Sequence, residues 1–289
     1  MAETAYQIQY RQEFIAGFED EQSRLRTTTV TETVIKGNQA TFLVADSGSA
    51  TATTRGVNGL IPARADNLTQ LTATLLEWHD LVRKTGFNIF ASQGNQKRIM
   101  QKTTMAVINR KIDDDIIAQL DTLTNDVGTS AATATLDMVV HAKVILGDNF
   151  VPIEEEDNMF GLVTPAFEGY LMQIPEYSSS DYVGVQPFVG STKLFRRWAG
   201  INWIVHPRLT GSVGAGSSGS TEKCYVYHRN CIGHAFDTDS LNESTKNVVG
   251  YDEEQDYSYA RVSAFMGSKL LQNAGGVLMN HDGSAYVAT

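Results

Sequence analysis

Cys224, His228, Cys231 and His234 place four zinc-capable side chains within eleven residues of a 289-residue chain. Thiolate and imidazole donors suit tetrahedral zinc, but this spacing does not match the usual C-x2–4-C plus H-x3–5-H frame. In an extended strand, Cys224, His228 and His234 face one side and Cys231 the other. The expected reading is therefore side chains packed in or near a sheet, with no metal. "GSVGAGSSGSTEK" (211–223) resembles a phosphate loop on its surface. It lacks a lysine directly after glycine, no helical pattern follows it, and it reads as a plain surface loop.

Other chemistry is equally incomplete. "DDD" (113–115) and "EEED" (154–157) could meet divalent cations, yet such runs are ordinarily solvated faces. His79–Asp80 has no serine or cysteine in a recognisable nucleophile elbow. Lys193, Arg196 and Arg197 with Phe195 and Trp198 form a basic–aromatic patch, for which a carboxylate partner or a cation–π contact is expected before nucleic acid. No catalytic, cofactor-binding or metal-binding residue is assigned. The chain does not read as an enzyme.

Thirty-three acidic against 23 basic residues give a formal charge of −10, and 42% of the chain is hydrophobic. That composition supports one or two folded cores and a surface that repels nucleic acid and anionic lipid. Two cysteines make no disulfide framework. "MAETAYQIQYRQEF" has neither a basic leader nor an apolar run, and no window approaches the ~20 apolar residues of a membrane span. Folding in a cytoplasm, with no membrane, is the expectation.

The elements follow from periodicity. Residues 3–26 suggest a helix with Tyr6, Tyr10, Phe14 and Phe18 four apart, a stripe that something must cover, either its own core or a neighbouring chain. "TTTVTETVIKG" and "QATFLVAD" suit strands, and "LTQLTATLLEW" alternates, with Leu71, Ala73 and Leu75 on one face. Between them lies a small, polar, glycine-punctuated stretch, so 36–76 reads as a thin two-stranded excursion with a flexible tip. Such a ribbon is marginal alone. A helix is predicted over 94–121, with Met105, Ile108, Ile112, Ile116 and Leu120 as its buried stripe. A second helix begins after Thr135 and stops at Gly147; "MFGLV" is a buried strand; Thr164 and Pro165 open a third helix. From Tyr177 onward, strands and turns are expected.

The 94–121 helix carries its charges backwards. Lys97, Arg98 and Lys102 crowd its start and Asp113, Asp114 and Asp115 lie toward its end, against a dipole preference of ~0.3–1 kcal/mol each. Balance supplied by neighbouring chains is the expected explanation, because complementary charges across interfaces set register and exclude wrong partners.

The order of parts resembles the major capsid proteins of tailed bacteriophages, the Hong Kong 97-type fold. The likeness covers essentially the whole chain. "NQKRIMQKTTMAVINRKIDDDIIAQL" resembles that family's spine helix. "MFGLVTPAFEGYLMQIPEYSSSDYVG" resembles its strand, helix and following loop, and "STKLFRRWAGINWIVHPRL" its glycine-centred strand. The resemblance implies an α+β chain with an N-terminal arm (1–35), an extended loop (36–76), a peripheral domain (77–127 and 251–289, with a return strand near 256–267) and an axial domain (128–250). It implies hexamers and pentamers of an icosahedral head enclosing double-stranded DNA without sequence-specific binding. It also implies a separate scaffolding protein, a portal and a decoration protein as partners, with assembly in the bacterial cytoplasm. An encapsulin-like compartment is the alternative. Some relatives join lysine to asparagine covalently from the loop; no lysine lies between Gly37 and Arg83, so no such crosslink is expected. The expected inter-subunit residues are Tyr6, Tyr10, Phe14, Phe18, Arg55, Arg64, Lys97, Arg98, Lys102, Asp113, Asp114 and Asp115. Reversing Lys97, Arg98 and Lys102 to glutamate should leave the subunit soluble and block assembly; unchanged particles in electron micrographs would refute this.

Overall fold

The computed structural model describes residues 21–34, 37–48, 50–92, 95–128, 132–175, 196–213, 218, 220–237 and 247–287. Tyr6, Tyr10, Phe14 and Phe18 lie outside these residues, as do Lys193 and Phe195. Of the helix expected over 3–26, residues 21–25 are described and are not helical. The amides of Arg24 and Leu25 donate to the Asp113 carboxylate instead of to carbonyls one turn back.

The β-branched strand β1 (Val30–Val34) precedes a hairpin of β2 (Gln39–Asp46) and β3 (Asn67–Thr74). The hairpin pairs antiparallel from Gln39 opposite Thr74 to Asp46 opposite Asn67. β4 (Leu76–Thr85) leads through the short helix α1 (Gly86–Ala91) into α2 (Gln96–Leu120). Side-chain caps start both helices: Thr85 accepts from the amide of Asn88, and Asn95 from that of Arg98.

The buried line on α2 is Met100, Thr104, Ile108, Ile112, Ile116 and Leu120, every fourth residue, and the expected Met105 is 46% exposed. A four-residue step overshoots the helical turn by about 40°, so the line winds around the helix. Met105 fits a straight stripe but not this winding one. As a result, the two halves of α2 can face different sheets.

Beyond α2 come β5 (Asp126–Gly128), α3 (Leu136–Asp148), β6 (Met159–Val163), α4 (Pro165–Leu171), β7 (Arg196–Trp198), β8 (Ile201–Val205) and β9 (Glu222–His228). The chain finishes with β10 (Ile232–Asp237), β11 (Val248–Asp252), β12 (Tyr257–Leu270) and β13 (Gly276–His281). The caps at Thr135 and Thr164 and the proline opening α4 lie where expected. The α3 stop does not. Gly147 stays helical, and Phe150 takes the left-handed conformation with φ 58°, closing the end through its amide to the Gly147 carbonyl.

Two sheets divide these strands. One runs β1-β10-β12-β11, with β4 also on β12; the other runs β5-β13-β9-β6-β8-β7. The second is buried on both faces, which is why "MFGLV" reads as a continuous apolar run. Met159, Val163, Cys224, Val226, Val277 and Met279 face α3 and α4, whereas Phe160, Leu162, Tyr225, Tyr227 and Leu278 face the C-terminal half of α2. The two sheets interleave along the chain, β10 lying with β12 and β13 with β9.

The hairpin root is seated closely on this body at two glycines. A Cβ on Gly267 would lie 2.1 Å from the Thr74 carbonyl oxygen, and one on Gly233 would lie 2.7 Å from the Phe42 ring. Ala40, Phe42 and Ala73 are buried there with Val34 and Ala235. Gly267→Ala is therefore expected to destabilise the subunit by ~1–3 kcal/mol through overpacking against backbone. Gly147→Ala, inside a helix with only the Ile153 methyl at 3.7 Å, should be neutral or stabilising by up to ~1 kcal/mol. Urea unfolding midpoints check both, and equal midpoints would exclude the tight root.

Candidate assembly surfaces

Several charges of α2 have partners inside the subunit. Asp113 is 2% exposed. Its carboxylate accepts from Ser23 Oγ at 2.5 Å, from the amides of Arg24 at 3.1 Å and Leu25 at 3.2 Å, and approaches His206 Nε2 at 3.3 Å. His206 Nδ1 accepts from the Arg208 amide at 3.2 Å, so Nε2 carries the proton and donates to Asp113. Arg24 Nη1 reaches the Val205 carbonyl at 2.7 Å. One carboxylate thus holds residues 23–25, α2 and the end of β8 together. Burial pushes its pKa up, but the bonds from His206, Ser23 and the two amides outweigh that and hold it below the ordinary aspartate value.

Asp114 forms a two-pronged pair with Arg208, at 3.0 Å from Nε and 2.6 Å from Nη2. Asp121, at the helix end, accepts from Tyr225 Oη at 2.5 Å and Thr210 Oγ1 at 2.6 Å, with Lys223 Nζ at 3.2 Å. Lys102 pairs with Glu21 at 2.6 Å. Asp115 Oδ2 is buried with no hydrogen-bond partner among the described residues. The basic residues Lys97 and Arg98 are exposed and form no ion pair among the described residues. Asp113 and Asp114 therefore serve the subunit itself, and Lys97 and Arg98 remain open to partners.

The hairpin is the other open region. Past its root Leu43 and Leu68 are exposed, and throughout 50–66 so are Val57, Leu60 and Ile61. Arg64 Nη1 donates to the Ser47 carbonyl at 2.8 Å, staying within the loop, and Arg55 is exposed. Of the basic–aromatic patch, Arg197 is paired with Glu156 at 3.3 Å and with Asp157, the carboxylate contact expected for it. "EEED" is in part a partner for this arginine.

Residues capable of chemistry are brought together but sealed. Cys224 joins the core under α3 and α4, Cys231 the core under α2, so the four candidate ligands are dispersed over two sheets. Burial pushes both thiols up to about 12, which leaves them protonated and unreactive. Glu222 and His281 pair at 3.0 Å with both side chains wholly buried, Thr164 Oγ1 donates to Glu222 at 2.5 Å, and Cys224 Sγ lies 3.9 Å from His281 Nδ1. This is a triad in outline only. Its function is to tie β9, β13 and the start of α4, and the 59 residues separating Glu222 from His281 offered no local signal. A second outline, Ser263 at 2.7 Å from His79 and His79 at 2.9 Å from Glu77, has its serine buried in a cross-strand pair. Nothing reacts there.

Two buried carboxylates thus define an acid limit. Glu222 behaves like Asp113: burial raises its pKa, but His281, Thr164 and the Val213 amide bring it below the ordinary value. A carboxylate with a depressed folded pKa contributes stability above its unfolded pKa, near ~4, and loses that contribution as pH falls through the folded value. Burial also lowers the His234 pKa to about 4, so subunit stability should already decline as pH falls below the ordinary imidazole value of ~6.5, and the loss of the carboxylate contribution should steepen the fall below about 4. Asp113→Asn should flatten part of the fall below pH ~4, and Asp113→Ala should cost ~2–4 kcal/mol at pH 7 by leaving several buried donors without an acceptor. Chemical unfolding as a function of pH checks this, and an unchanged profile in Asp113→Asn would exclude the carboxylate as the source.

Among the described residues no helix is long and apolar enough to cross a membrane. No curated protein sequence matches the chain significantly. Solved structures do. A Mycobacterium phage Che8 chain superposes with a TM-score of 0.73 at 11% identity, covering 96% of this chain and 98% of its own. The capsid of cyanophage Pam1 gives 0.72 at 10%, covering 98% of each. The capsid of a native GTA particle gives 0.68 at 12%, covering 96% and 95%. At such identities the likeness establishes the Hong Kong 97-type α+β fold. Family membership comes from a family model described as phage capsid protein, which matches residues 2–282, and it favours a viral shell over an encapsulin-like compartment. The chain belongs to the phage capsid protein family, and it is a structural, non-enzymatic major capsid protein of the virion.

Proposed function

We propose that the subunit builds hexamers and pentamers of an icosahedral head that encloses double-stranded DNA without reading its sequence. In this reading 1–35 is an arm and 36–76 an extended loop. Residues 77–127 with 251–289 form a peripheral region around α2, and 128–250 an axial region around α3, α4 and strands β6 to β9. A scaffolding protein, a portal and a decoration protein act as partners, and assembly takes place in the host cytoplasm. The contacts between copies use Tyr6, Tyr10, Phe14, Phe18, Arg55, Arg64, Lys97 and Arg98.

One observation carries this proposal. The hairpin is seated firmly at its root, yet it exposes Leu43, Leu68, Val57, Leu60 and Ile61 beyond it. A two-stranded ribbon is marginal in water, and apolar side chains on it gain only when another surface covers them. Copies of the same subunit supply that surface repeatedly, and symmetry closes the result into a container. The formal net charge of −10 suits enclosure without tight phosphate binding.

Replacing residues 47–66 with a two-residue turn between β2 and β3 should leave the subunit's melting temperature within a few degrees and abolish closed particles. Negative-stain micrographs and sedimentation check it. Closed particles of wild-type size from the truncated chain would refute the role given to the loop.

A further inference from the structure

The helix α1 buries no residue of its own. Phe87 is 76% exposed and Phe90 87%, on a six-residue helix far too short to persist by itself. Two charged groups of opposite sign adjoin it. The turn between β11 and β12 presents Glu253, Glu254 and Asp256, all exposed, with Asp256 held at φ 50°. Tyr257 pairs with Thr85, and Asp256 Oδ1 lies 3.6 Å from where a Gly86 Cβ would sit, so this turn lies beside α1. The basic start of α2 is drawn to the same end by Lys84 Nζ, which donates to Gln96 Oε1 at 2.6 Å. Lys97 and Arg98 follow immediately, exposed. Among the described residues, neither these two cations nor Glu253 and Glu254 form an ion pair.

We propose that α1 is the apolar centre of a head-to-tail contact between copies of this chain, in which Phe87 and Phe90 are covered while the 253–256 turn of one copy meets Lys97 and Arg98 of the next. This rests on the capsid reading and names a contact within it. The occupant follows from complementarity: the exposed aromatic anchors are flanked by an acidic turn on one side and a basic helix start on another, so a second copy that brings its acidic turn to the basic helix start of the first satisfies all three at once. Two phenylalanines bury about 300–500 Å² at such a site, a central share of a standard interface of ~1,600 Å². Charge at its edge then fixes orientation and register. Because the acidic turn and the basic helix start are different surfaces, the contact is heterologous and repeats around a ring.

A charge swap tests this. Lys97→Glu with Arg98→Glu, and separately Glu253→Lys with Glu254→Lys, should each lower the yield of closed particles at least ten-fold. The four changes together should restore it, and Phe87→Ser with Phe90→Ser should abolish particles. Circular dichroism melts confirm that each subunit folds, which exposed positions permit. Particle yields at wild-type level in the two charge variants, or no recovery in the fourfold variant, would overturn this contact while leaving the capsid reading intact. A wild-type chain that forms neither rings nor closed particles, alone or together with its scaffolding protein, would overturn both.

Discussion

The subunit depends on one buried negative charge. Asp113 lies where residues 23–25, α2 and the end of β8 cross, and it is satisfied by a hydroxyl, two backbone amides and an imidazole. An unpaired carboxylate at that depth would cost several kcal/mol. The arrangement therefore permits one path for the chain arriving at β1: residues 23–25 must pass close enough to donate. A leucine at this position would pack but would leave that path unspecified. The arginine that follows extends the same lock, with its amide on Asp113 and its guanidinium on Val205.

With that crossing fixed, α2 acts as a shared beam for two sheets. Its buried line winds along the helix, which packs on β4 and β12, and Ile112, Ile116, Ile117 and Leu120 close the core beneath Tyr225, Tyr227 and Leu278. Part of the reversed charge order is answered within the subunit, and the helix end adds one more pair. Lys102 finds Glu21, Asp114 finds Arg208, and Asp121 finds Lys223. A dipole preference of a few tenths of a kcal/mol is small against two-pronged or buried pairs.

What was legible in the sequence was what short-range physics writes. Threonine caps at 135 and 164, a proline at 165, alternation in "QATFLVAD" and the apolar run "MFGLV" all specify their elements locally. Long-range pairings were not legible. Asp113 looked like one of three solvated acids, although its place four residues before the buried Ile117 marks it as part of the packed face. Glu222 and His281 meet through sheet register, which no local pattern announces. The α3 end was misjudged because a glycine one turn early is a stronger textual cue than a phenylalanine in the left-handed region, yet the hydrogen bonds to Leu146 and Gly147 set the stop.

The distribution of satisfied and unsatisfied groups carries the last step. Chemistry-bearing residues in this chain are turned inward and neutralised: thiols raised by burial, a carboxylate–imidazole pair wholly enclosed, serine and histidine joined across strands. The groups left outward are of the other kind, aromatic and aliphatic side chains on thin or short elements with unpaired charges beside them. An enzyme needs the reverse, with polar reactive groups converging in an accessible cleft and apolar surface withdrawn. A subunit that is itself only part of a wall needs this one, because its free energy of assembly is drawn from surface that stays uncovered until a neighbour arrives. Rigidity at the Asp113 crossing and at the hairpin root serves the same end: exposed anchors contribute to association only when held in position beforehand, since every degree of freedom frozen on contact is subtracted from the gain.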